Sequence, residues 1–165
     1  MTARFHLTDL LPEDGLPPPL LALNNAFAQE LSYLSPEKAA HLVREAVMAC
    51  RVGEADALLL AFDQNAAYEN LNFEWFRDRF ARFIYIDRVV VSPAMRGQGL
   101  ARELYKALFA RAASLQHAQV VCEINLDPPN PASDAFHASL GFEQVGQAVL
   151  PRAGKTVRYF SRRIG

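Results

Sequence analysis

The stretch Arg96-Gly97-Gln98-Gly99-Leu100-Ala101 is the part of this chain most informative about its fold, because it joins a strand-forming segment to an amphipathic helix. Upstream, residues 83–91 are rich in β-branched and aromatic side chains and end at Ser92-Pro93, a pattern typical of a buried strand. Downstream, apolar residues recur at helical spacing from residue 101 to residue 115. A glycine turn that opens a helix leaves backbone N–H groups unpaired at the positive end of the helix dipole. The junction therefore predicts a site for a phosphate-bearing ligand.

Composition bounds the class of protein. The 165 residues are 51% hydrophobic and 21% charged, so we expect one globular domain over residues 1–165. A net charge of −1 gives no broad electrostatic reason to bind nucleic acid. No apolar run approaches the roughly 18 residues of a membrane span. The N-terminus has no signal-peptide pattern, and Cys50 and Cys122 are too few for a disulfide framework and lack metal-ligand spacing. We therefore expect a cytoplasmic protein without metal.

The remaining pattern predicts alternating strands and helices. Ser35-Pro36-Glu37 is a helix-start signal, and Gly141 suits a left-handed helix cap. Residues 63–82 are aromatic and amide-rich and have no assignable element, so they are interpreted as a long connection. The predicted strands cover about residues 4–8, 50–54, 57–62, 83–91, 119–126, 143–150 and 156–164, and the predicted helices cover about residues 20–31, 36–49, 101–115 and 132–139. This order indicates a mixed α/β sheet.

Two kinds of phosphate site are excluded by the residues around the glycines. Nucleotide hydrolases need Lys-Ser/Thr after the last glycine of the loop, and Leu100-Ala101 stand there. A dinucleotide-binding turn follows its strand directly and has Gly or Ala at its sixth position. Here Arg102 occupies that position, and residues 92–96 separate the strand from the glycines.

The turn instead resembles the pyrophosphate loop of the GNAT N-acetyltransferase superfamily. Its pattern, Arg/Gln-x-x-Gly-x-Gly/Ala, is met by Arg96, Gly99 and Ala101. A second element of the family is matched at Asn130, at Ser133 and over residues 136–142. The resemblance is strong over residues 84–142 and concerns only the order of elements before that. It implies a mixed, mostly antiparallel central sheet of about seven strands with a central β-α-β unit and flanking helices.

The resemblance also implies acetyl-CoA as co-substrate and direct transfer of the acetyl group to an amine of a small molecule or peptide. Two alternatives stay open, namely a non-catalytic coenzyme A-binding regulatory module and an O-acyltransferase. As partners we expect an amine acceptor, no nucleic acid and no membrane, with a homodimer left open. In the family, a backbone N–H of the central strand stabilises the developing oxyanion. The implied cofactor-binding residues are Val89, Val90, Val91, Arg96, Gly97, Gln98, Gly99, Leu100, Ala101, Asn130, Ser133, Phe136 and His137.

Three residues are candidates for proton transfer. His137 stands where many family members carry Tyr, and it is the candidate acid for the leaving thiolate; the alternative is a hydrogen bond without proton transfer. Asp87 and Glu123 are carboxylates within apolar strands, and burial would raise their pKa values toward those of a base. For Asp87 the alternative is a structural ion pair with Arg88 or Arg82.

The acceptor pocket is predicted at residues 65–80 together with Asn24 and Asn25. Its amide and aromatic side chains could orient a small polar substrate, and the alternative is that the aromatic residues fill the core. The predicted substrate-binding residues are Asn72, Phe73, Trp75 and Asn125, the last on the same strand face as Glu123. His6, His41 and His117 are predicted to be surface or capping residues. An acyl-cysteine at Cys122 is disfavoured because no histidine is linked to it in sequence.

Overall fold

Residues 5–28, 31–151 and 154–164, which the computed structural model describes, form a seven-stranded sheet and five α-helices. In chain order these are β1 (Leu7–Asp9), α1 (Pro18–Ala26), α2 (Pro36–Glu45), β2 (Met48–Val52), β3 (Ala57–Asp63), α3 (Leu71–Arg77), β4 (Ile84–Val91), α4 (Leu100–Ser114), β5 (Gln119–Asp127), α5 (Pro131–Ser139), β6 (Glu143–Leu150) and β7 (Lys155–Arg163). A short 3-10 turn at Pro93–Met95 connects β4 to the glycine loop. None of the helices in these ranges is both long and apolar enough to cross a membrane.

The strand order is β1-β2-β3-β4-β5-β7-β6, and every neighbouring pair is antiparallel except β4 and β5. Those two strands are parallel because α4 connects them as a crossover, which brings the chain back to the end of the sheet at which β4 began. The prediction of a mostly antiparallel mixed sheet with a central β-α-β unit is thus confirmed.

Two hydrophobic cores cover the two faces of the sheet. Helices α1, α2 and α3 pack on one face, with Leu20, Leu42 and Phe73 among the buried residues. Helix α4 packs on the other face through Leu104 and Leu108. At about 25 cal/mol per Å² of buried apolar surface, such fully buried side chains each contribute roughly 2 kcal/mol. The two layers matter for function because the site described below is lined from both.

A β-bulge in β4 reverses the strand's alternation. Leu60 pairs with Arg88 while Ala61 pairs with Ile86, so Asp87 is an extra residue without a partner on β3. As a result Tyr85 and Val90, five residues apart, both belong to the core under α1, α2 and α3. Simple alternation would have placed them on opposite faces.

Several predicted boundaries were wrong. Helix α2 ends at Glu45, four residues early, because Ala46 is extended and the Val47 N–H bonds to Ala61 on β3. Sheet pairing therefore overrides the helical spacing of residues 46–49. The connection 63–82 contains the helix α3, whose start is capped by the Asn70 side chain. Helix α1 ends at Ala26 rather than at residue 31, with the Phe27 N–H bonded to Asn24. Arg4, residues 29–30 and residues 152–153, which belong to predicted elements or their turns, lie outside the described residues.

Candidate active site

Strands β4 and β5 separate shortly after they pair, and a cavity opens where they diverge. Their pairing covers Ile84 with Val120 and Tyr85 with Val121. A cavity of about 340 Å³ lies beyond that point. It is lined from both layers of the fold, by Phe27, Leu31, Val89, Val90, Val91, Arg96, Ala101, Tyr105, Ser133, Phe136 and His137. We call it the cofactor cavity, because most of these residues are those that the sequence predicted for cofactor binding.

The glycine loop lies at the mouth of this cavity. Gly97 and Gly99 have φ values of 78° and 81°, which a residue with a Cβ rarely adopts. No atom lies within 4 Å of where a Cβ would stand at either position, so the space beside the turn is open. The first N–H groups of α4 have no partner within the helix, and Arg96 is exposed next to them. These features fit a pyrophosphate. Leu100 is only 2% exposed, so only its backbone is available to a ligand.

The start of α5 forms another wall of the cavity. Pro131 opens the helix, and the Asn130 side chain caps it by accepting from the Ser133 N–H at 3.2 Å. This role explains why the sequence pattern contains Asn130, which does not line the cavity itself. Ser133, Phe136 and His137 project from the first turns of α5 into the lining.

His137 is held at both ring nitrogens. Its Nδ1 lies 2.8 Å from the Ser133 carbonyl oxygen, which can only accept, so Nδ1 carries the proton. Burial lowers the pKa of His137, which favours the neutral ring. Its Nε2 therefore accepts from the Tyr105 hydroxyl, 2.8 Å away. In this arrangement His137 directs no N–H toward the cavity, so the role of acid predicted for it does not follow from its resting geometry.

Tyr105 was missed as a site residue by the sequence analysis. It falls on the apolar face of α4, and such a position is typical of the core. It is only 5% exposed, yet it lines the cofactor cavity. Burial raises the pKa of Tyr105 well above its usual value, so its hydroxyl keeps the proton at neutral pH. Only the packing of α4 against α5 reveals this pairing.

Glu123 lies on β5 just beyond the paired region, on the face covered by α3. The Tyr85 hydroxyl donates to both of its carboxylate oxygens, at 2.8 and 3.0 Å. Burial raises the pKa of Glu123 from 4.5 to about 7, and the charge of Asp87 adds to this rise, while hydrogen bonds from Tyr85 and Asn72 oppose it. A carboxyl group with this pKa exchanges its proton at physiological pH.

Asp87 lies on the bulge of β4 and has a different environment. Arg88 Nε donates to one of its oxygens at 2.6 Å, and the Tyr68 hydroxyl donates to the other at 2.5 Å. The side chains of Asp87 and Arg88 are 3% and 4% exposed. Arg88 also donates to Asn24 at 2.9 Å. Of the two interpretations of Asp87, the structural ion pair with Arg88 is therefore the one present.

Two amides predicted for the acceptor pocket have structural roles instead. Asn24 is fully buried and bonds to Arg88 and to the Ser32 carbonyl. Asn25 exchanges two hydrogen bonds with the backbone of Leu34. Together they fix the connection between α1 and α2, because their amide groups satisfy its backbone.

The residues predicted to bind substrate are divided between the core and the site. Phe73 is fully buried among other rings, so the alternative of core filling holds for it. Trp75 stacks on Tyr159, with ring centres 4.1 Å apart. Asn72 accepts from the Tyr159 hydroxyl at 2.8 Å and lies next to Glu123. Asn125 is partly exposed, two residues beyond Glu123 on β5.

The outcome for the remaining histidines and cysteines is mixed. His117 was predicted to be a surface or capping residue; it is 5% exposed and its ring lies 3.9 Å from Asp63, so it is not a surface residue. It follows α4, where its backbone N–H bonds to Ala112 and closes the helix. Exposed His41 bonds to the Ala67 carbonyl. Burial raises the pKa of the Cys122 thiol well above its usual value, which disfavours an acyl-cysteine.

A second, larger cavity of about 870 Å³ lies between the start of α2 and the β3–α3 connection. We call it the acceptor groove, because its lining includes part of the segment 65–80 that the sequence predicted for the acceptor pocket. Its lining includes Ser32, Tyr33, Leu34, Glu37, Lys38, His41, Leu42, Ala67, Tyr68, Glu69, Asn70, Glu74, Arg77 and Arg88. Residues that are neighbours in the chain line the two cavities: Leu31 lines the first and Ser32 the second, and on β4 Val89 lines the first and Arg88 the second.

Comparisons with known proteins agree with this geometry. A family model described as the acetyltransferase (GNAT) family matches residues 23–142. Phosphinothricin N-acetyltransferase from Alcaligenes faecalis is 34% identical over 96 residues, which are 58% of this chain and only 44% of that relative.

Solved structures show the same fold at low sequence identity. Naa20 from Chaetomium thermophilum, in complex with a bisubstrate analogue, has a TM-score of 0.71 at 16% identity, covering 96% of this chain and 86% of its own. The ribosomal-protein-S18-alanine N-acetyltransferase from Escherichia coli has a TM-score of 0.65 at 16% identity, covering 97% of this chain and 94% of its own. Because the family model spans most of the sequence, this chain belongs to the GNAT acetyltransferase family.

Proposed function

We propose that this protein transfers an acetyl group from acetyl-CoA directly to the amine of a small molecule or peptide, with Glu123 as the base. The observation that carries the proposal is Glu123 itself. It is a carboxyl group with a pKa of about 7, two residues beyond the point where β5 stops pairing with β4, and the cofactor cavity is lined by residues 89–91 of β4. The name of the curated relative, an N-acetyltransferase, supports an amine as the acceptor.

The residues that would hold acetyl-CoA are those of the glycine loop and of the cavity. N–H groups of residues 97–101 would bind the pyrophosphate, with Arg96 beside them. The apolar side chains of Val89, Val91 and Phe136 would line the path of the thioester arm. When bound, acetyl-CoA supplies an activated acetyl thioester. Backbone N–H groups of residues 89–91 would stabilise negative charge on its carbonyl oxygen.

Glu123 would remove the proton that prevents the acceptor amine from attacking. An alkyl amine with a pKa of about 10 is almost fully protonated at pH 7, so a proton must be removed before it can attack. A base is most effective when its pKa lies near the working pH, and Glu123 meets that condition. Asp87 is not available for this task, because it is held in a buried ion pair with Arg88 and also accepts from the Tyr68 hydroxyl. The two environments therefore support Glu123 rather than Asp87 as the base.

On the other side of the gap, Tyr105 and His137 would act as a pair. The Tyr105 hydroxyl keeps its single proton at neutral pH and lines the cavity. At rest this proton is donated to His137 Nε2, so the O–H would have to turn from Nε2 toward the leaving sulfur to donate a hydrogen bond there. This arrangement gives the hydroxyl the task that the sequence analysis assigned to the imidazole.

The acceptor is proposed to approach through the acceptor groove. The groove and the cofactor cavity are lined by the neighbouring β4 residues Arg88 and Val89, and Tyr68 on the groove wall bonds to Asp87 on the same strand. Its lining carries both acidic and basic side chains, including Glu69, Lys38 and Arg77. Such a lining suits an acceptor that bears further polar groups besides the amine.

The test is a panel of amines and short peptides assayed for thiol release from acetyl-CoA. For an accepted amine, kcat/KM should fall about tenfold per pH unit below pH 7, and Glu123→Gln should lower it roughly 100-fold or more. Glu143→Gln, at an exposed carboxylate on β6, is the matched control. Absence of amine-dependent thiol release across the panel, or an unchanged rate in Glu123→Gln, would overturn the proposal.

A further inference from the structure

The start of helix α3 has a fixed place over the sheet. Asn70 caps it, accepting from the backbone N–H groups of Asn72 and Phe73 at 2.9 and 3.1 Å. Phe73 and Phe76 are fully buried and attach the helix to the core. Asn72, the second residue of the helix, is therefore held by a rigid backbone beside β5 and β7.

The side chain of Asn72 is oriented by Tyr159. Its Oδ1 accepts from the Tyr159 hydroxyl at 2.8 Å. Because the amide oxygen is engaged there, the amide NH2 is free to serve the other neighbour, Glu123. Glu123 on β5 pairs with Tyr159 on β7, so the Asn72 amide held by the Tyr159 hydroxyl lies beside this carboxyl group, where it lowers the pKa of Glu123.

Tyr159 is itself held on several sides. It is 1% exposed, it stacks on Trp75, and Phe76 packs perpendicular to it with ring centres 5.1 Å apart. Gly146, at a bulge in β6, leaves room for the indole, since a Cβ there would lie 2.4 Å from Trp75 Cζ2. The hydroxyl that orients Asn72 thus has little freedom to move.

We propose that Asn72, oriented by Tyr159, is a positioning residue that fixes the Glu123 carboxylate, so that the β3–β4 connection serves the base. This replaces the substrate contact that the sequence predicted for Asn72. The inference rests on the proposed function for its catalytic meaning. The position of Asn72 beside Glu123 does not depend on the proposed function, and a titration of Glu123 without substrate tests its effect.

The ionisable groups around Glu123 do not change charge near neutral pH, so the effect of the Asn72 amide on the pKa of Glu123 can be measured separately. They are Tyr85 and Asp87 on β4, Tyr68 on the β3–α3 connection, Tyr105 on α4, Cys122 on β5 and Tyr159 on β7. Burial raises the pKa values of the tyrosines and of Cys122, so they keep their protons between pH 5 and pH 9. Asp87 is paired with Arg88. Replacing Asn72 therefore changes one donor and no charge.

The experiment is a carboxyl-carbon NMR titration of protein labelled with ¹³C-glutamate. The Glu123 signal is assigned by its absence in Glu123→Gln. Asn72→Leu and Tyr159→Phe should each raise the apparent pKa of Glu123 by about one unit, because the first removes the amide donor beside the carboxylate and the second removes the hydroxyl that orients this amide. The double variant should shift it no further than the larger single effect. Asn72→Asp keeps the acceptor for Tyr159 but removes the donor and adds a charge, so it should give the largest rise. Gln147→Leu, at an exposed amide on β6, is the control.

Kinetics on an accepted amine separate positioning from substrate contact. For a positioning residue, the acid limb of kcat/KM moves upward in pH by the same amount and the KM for the amine stays unchanged. An unshifted Glu123 titration in Asn72→Leu and Asn72→Asp, or a raised amine KM with an unmoved acid limb, would overturn the inference. Since the titration needs no acceptor, failure of the amine panel would refute the proposed function without deciding the role of Asn72.

Discussion

The raised pKa of Glu123 predicts that this carboxyl group destabilises the folded protein at neutral and alkaline pH. The perturbation is Glu123→Gln, which keeps the shape and an oxygen that can accept from the Tyr85 hydroxyl, but carries no charge. Ionisation in the folded state confines a carboxylate among aromatic side chains, whereas the unfolded chain ionises it in water. The substitution should therefore stabilise the fold wherever the carboxyl would be ionised.

The magnitude follows from the shift itself. The pKa is raised from 4.5 to about 7, and each unit corresponds to about 1.4 kcal/mol, so the full effect is about 3 kcal/mol. Below pH 4.5 the group is protonated in both states and the penalty is absent. As the pH rises toward 7 the unfolded state ionises first, and above 7 the penalty is complete. The free energy of unfolding of the native protein should thus fall by about 3 kcal/mol relative to that of Glu123→Gln between pH 4.5 and pH 8.

The assay is urea denaturation of the native sequence, Glu123→Gln and the exposed control Glu143→Gln at half-unit steps from pH 4.5 to pH 8.5. Burial lowers the pKa values of His117 and His137, which acts in the opposite direction because these residues become easier to bury as they lose their protons. Both histidines are present in every variant, so their contribution cancels in the difference curve. Any cost of placing the new amide beside Asn72 appears as a constant offset.

If the difference in free energy of unfolding between the native sequence and Glu123→Gln stays constant within about 0.5 kcal/mol over the whole pH range, the pKa of Glu123 is not raised in the folded protein. A difference that grows toward low pH would also contradict a raised pKa, because it would mean that the folded state favours the ionised carboxylate. Either result would remove Glu123 from the role of a base poised near neutral pH.

Three further predictions concern the loop, the ion pair and the aromatic stack. Gly99→Val and Gly154→Val place a β-branched residue at φ 81° and 63°, so both should lose about 1–3 kcal/mol of stability; only the first should abolish the rise in melting temperature caused by acetyl-CoA, and a retained rise would remove the loop from the site. Asp87→Asn leaves a buried guanidinium without its partner and should cost about 3–5 kcal/mol in urea denaturation; a loss below 1 kcal/mol would show that the pair contributes little. Gly146→Ala forces the Trp75 ring to shift and should cost about 1–3 kcal/mol with a changed tryptophan emission, and an unchanged spectrum would contradict the described contact.

The conformation of the glycine loop and of the elements around it could be predicted from the sequence, because its signals are local. The glycines at 97 and 99, the strand before them and the helix after them lie within about thirty residues of each other. Positive φ, an open helix start and apolar spacing are all encoded by neighbours in the chain. The cap at Asn130 and the helix after it follow the same logic.

The acceptor side could not be predicted in the same way. Alternation along β4 gave no sign of the bulge at Asp87, which depends on pairing with β3. The two carboxylates looked equivalent in sequence, and only the positions of Arg88 and Tyr68 show that one is paired. Aromatic residues in the 63–82 connection could equally fill a pocket or the core, and the packing of α3 decides this for Phe73.

Family membership, the mixed sheet and the glycine turn at the start of α4 could thus be predicted from the sequence, since each depends on spacing and conformational preference within short segments. Which groups meet beyond the paired part of β4 and β5 depends on the tertiary structure. Asn72, Tyr85, Glu123 and Tyr159 come from four separate elements, and Tyr105 meets His137 across two helices. The pKa values and hydrogen bonds of these residues arise from burial and from distant partners, which no local pattern in the chain encodes.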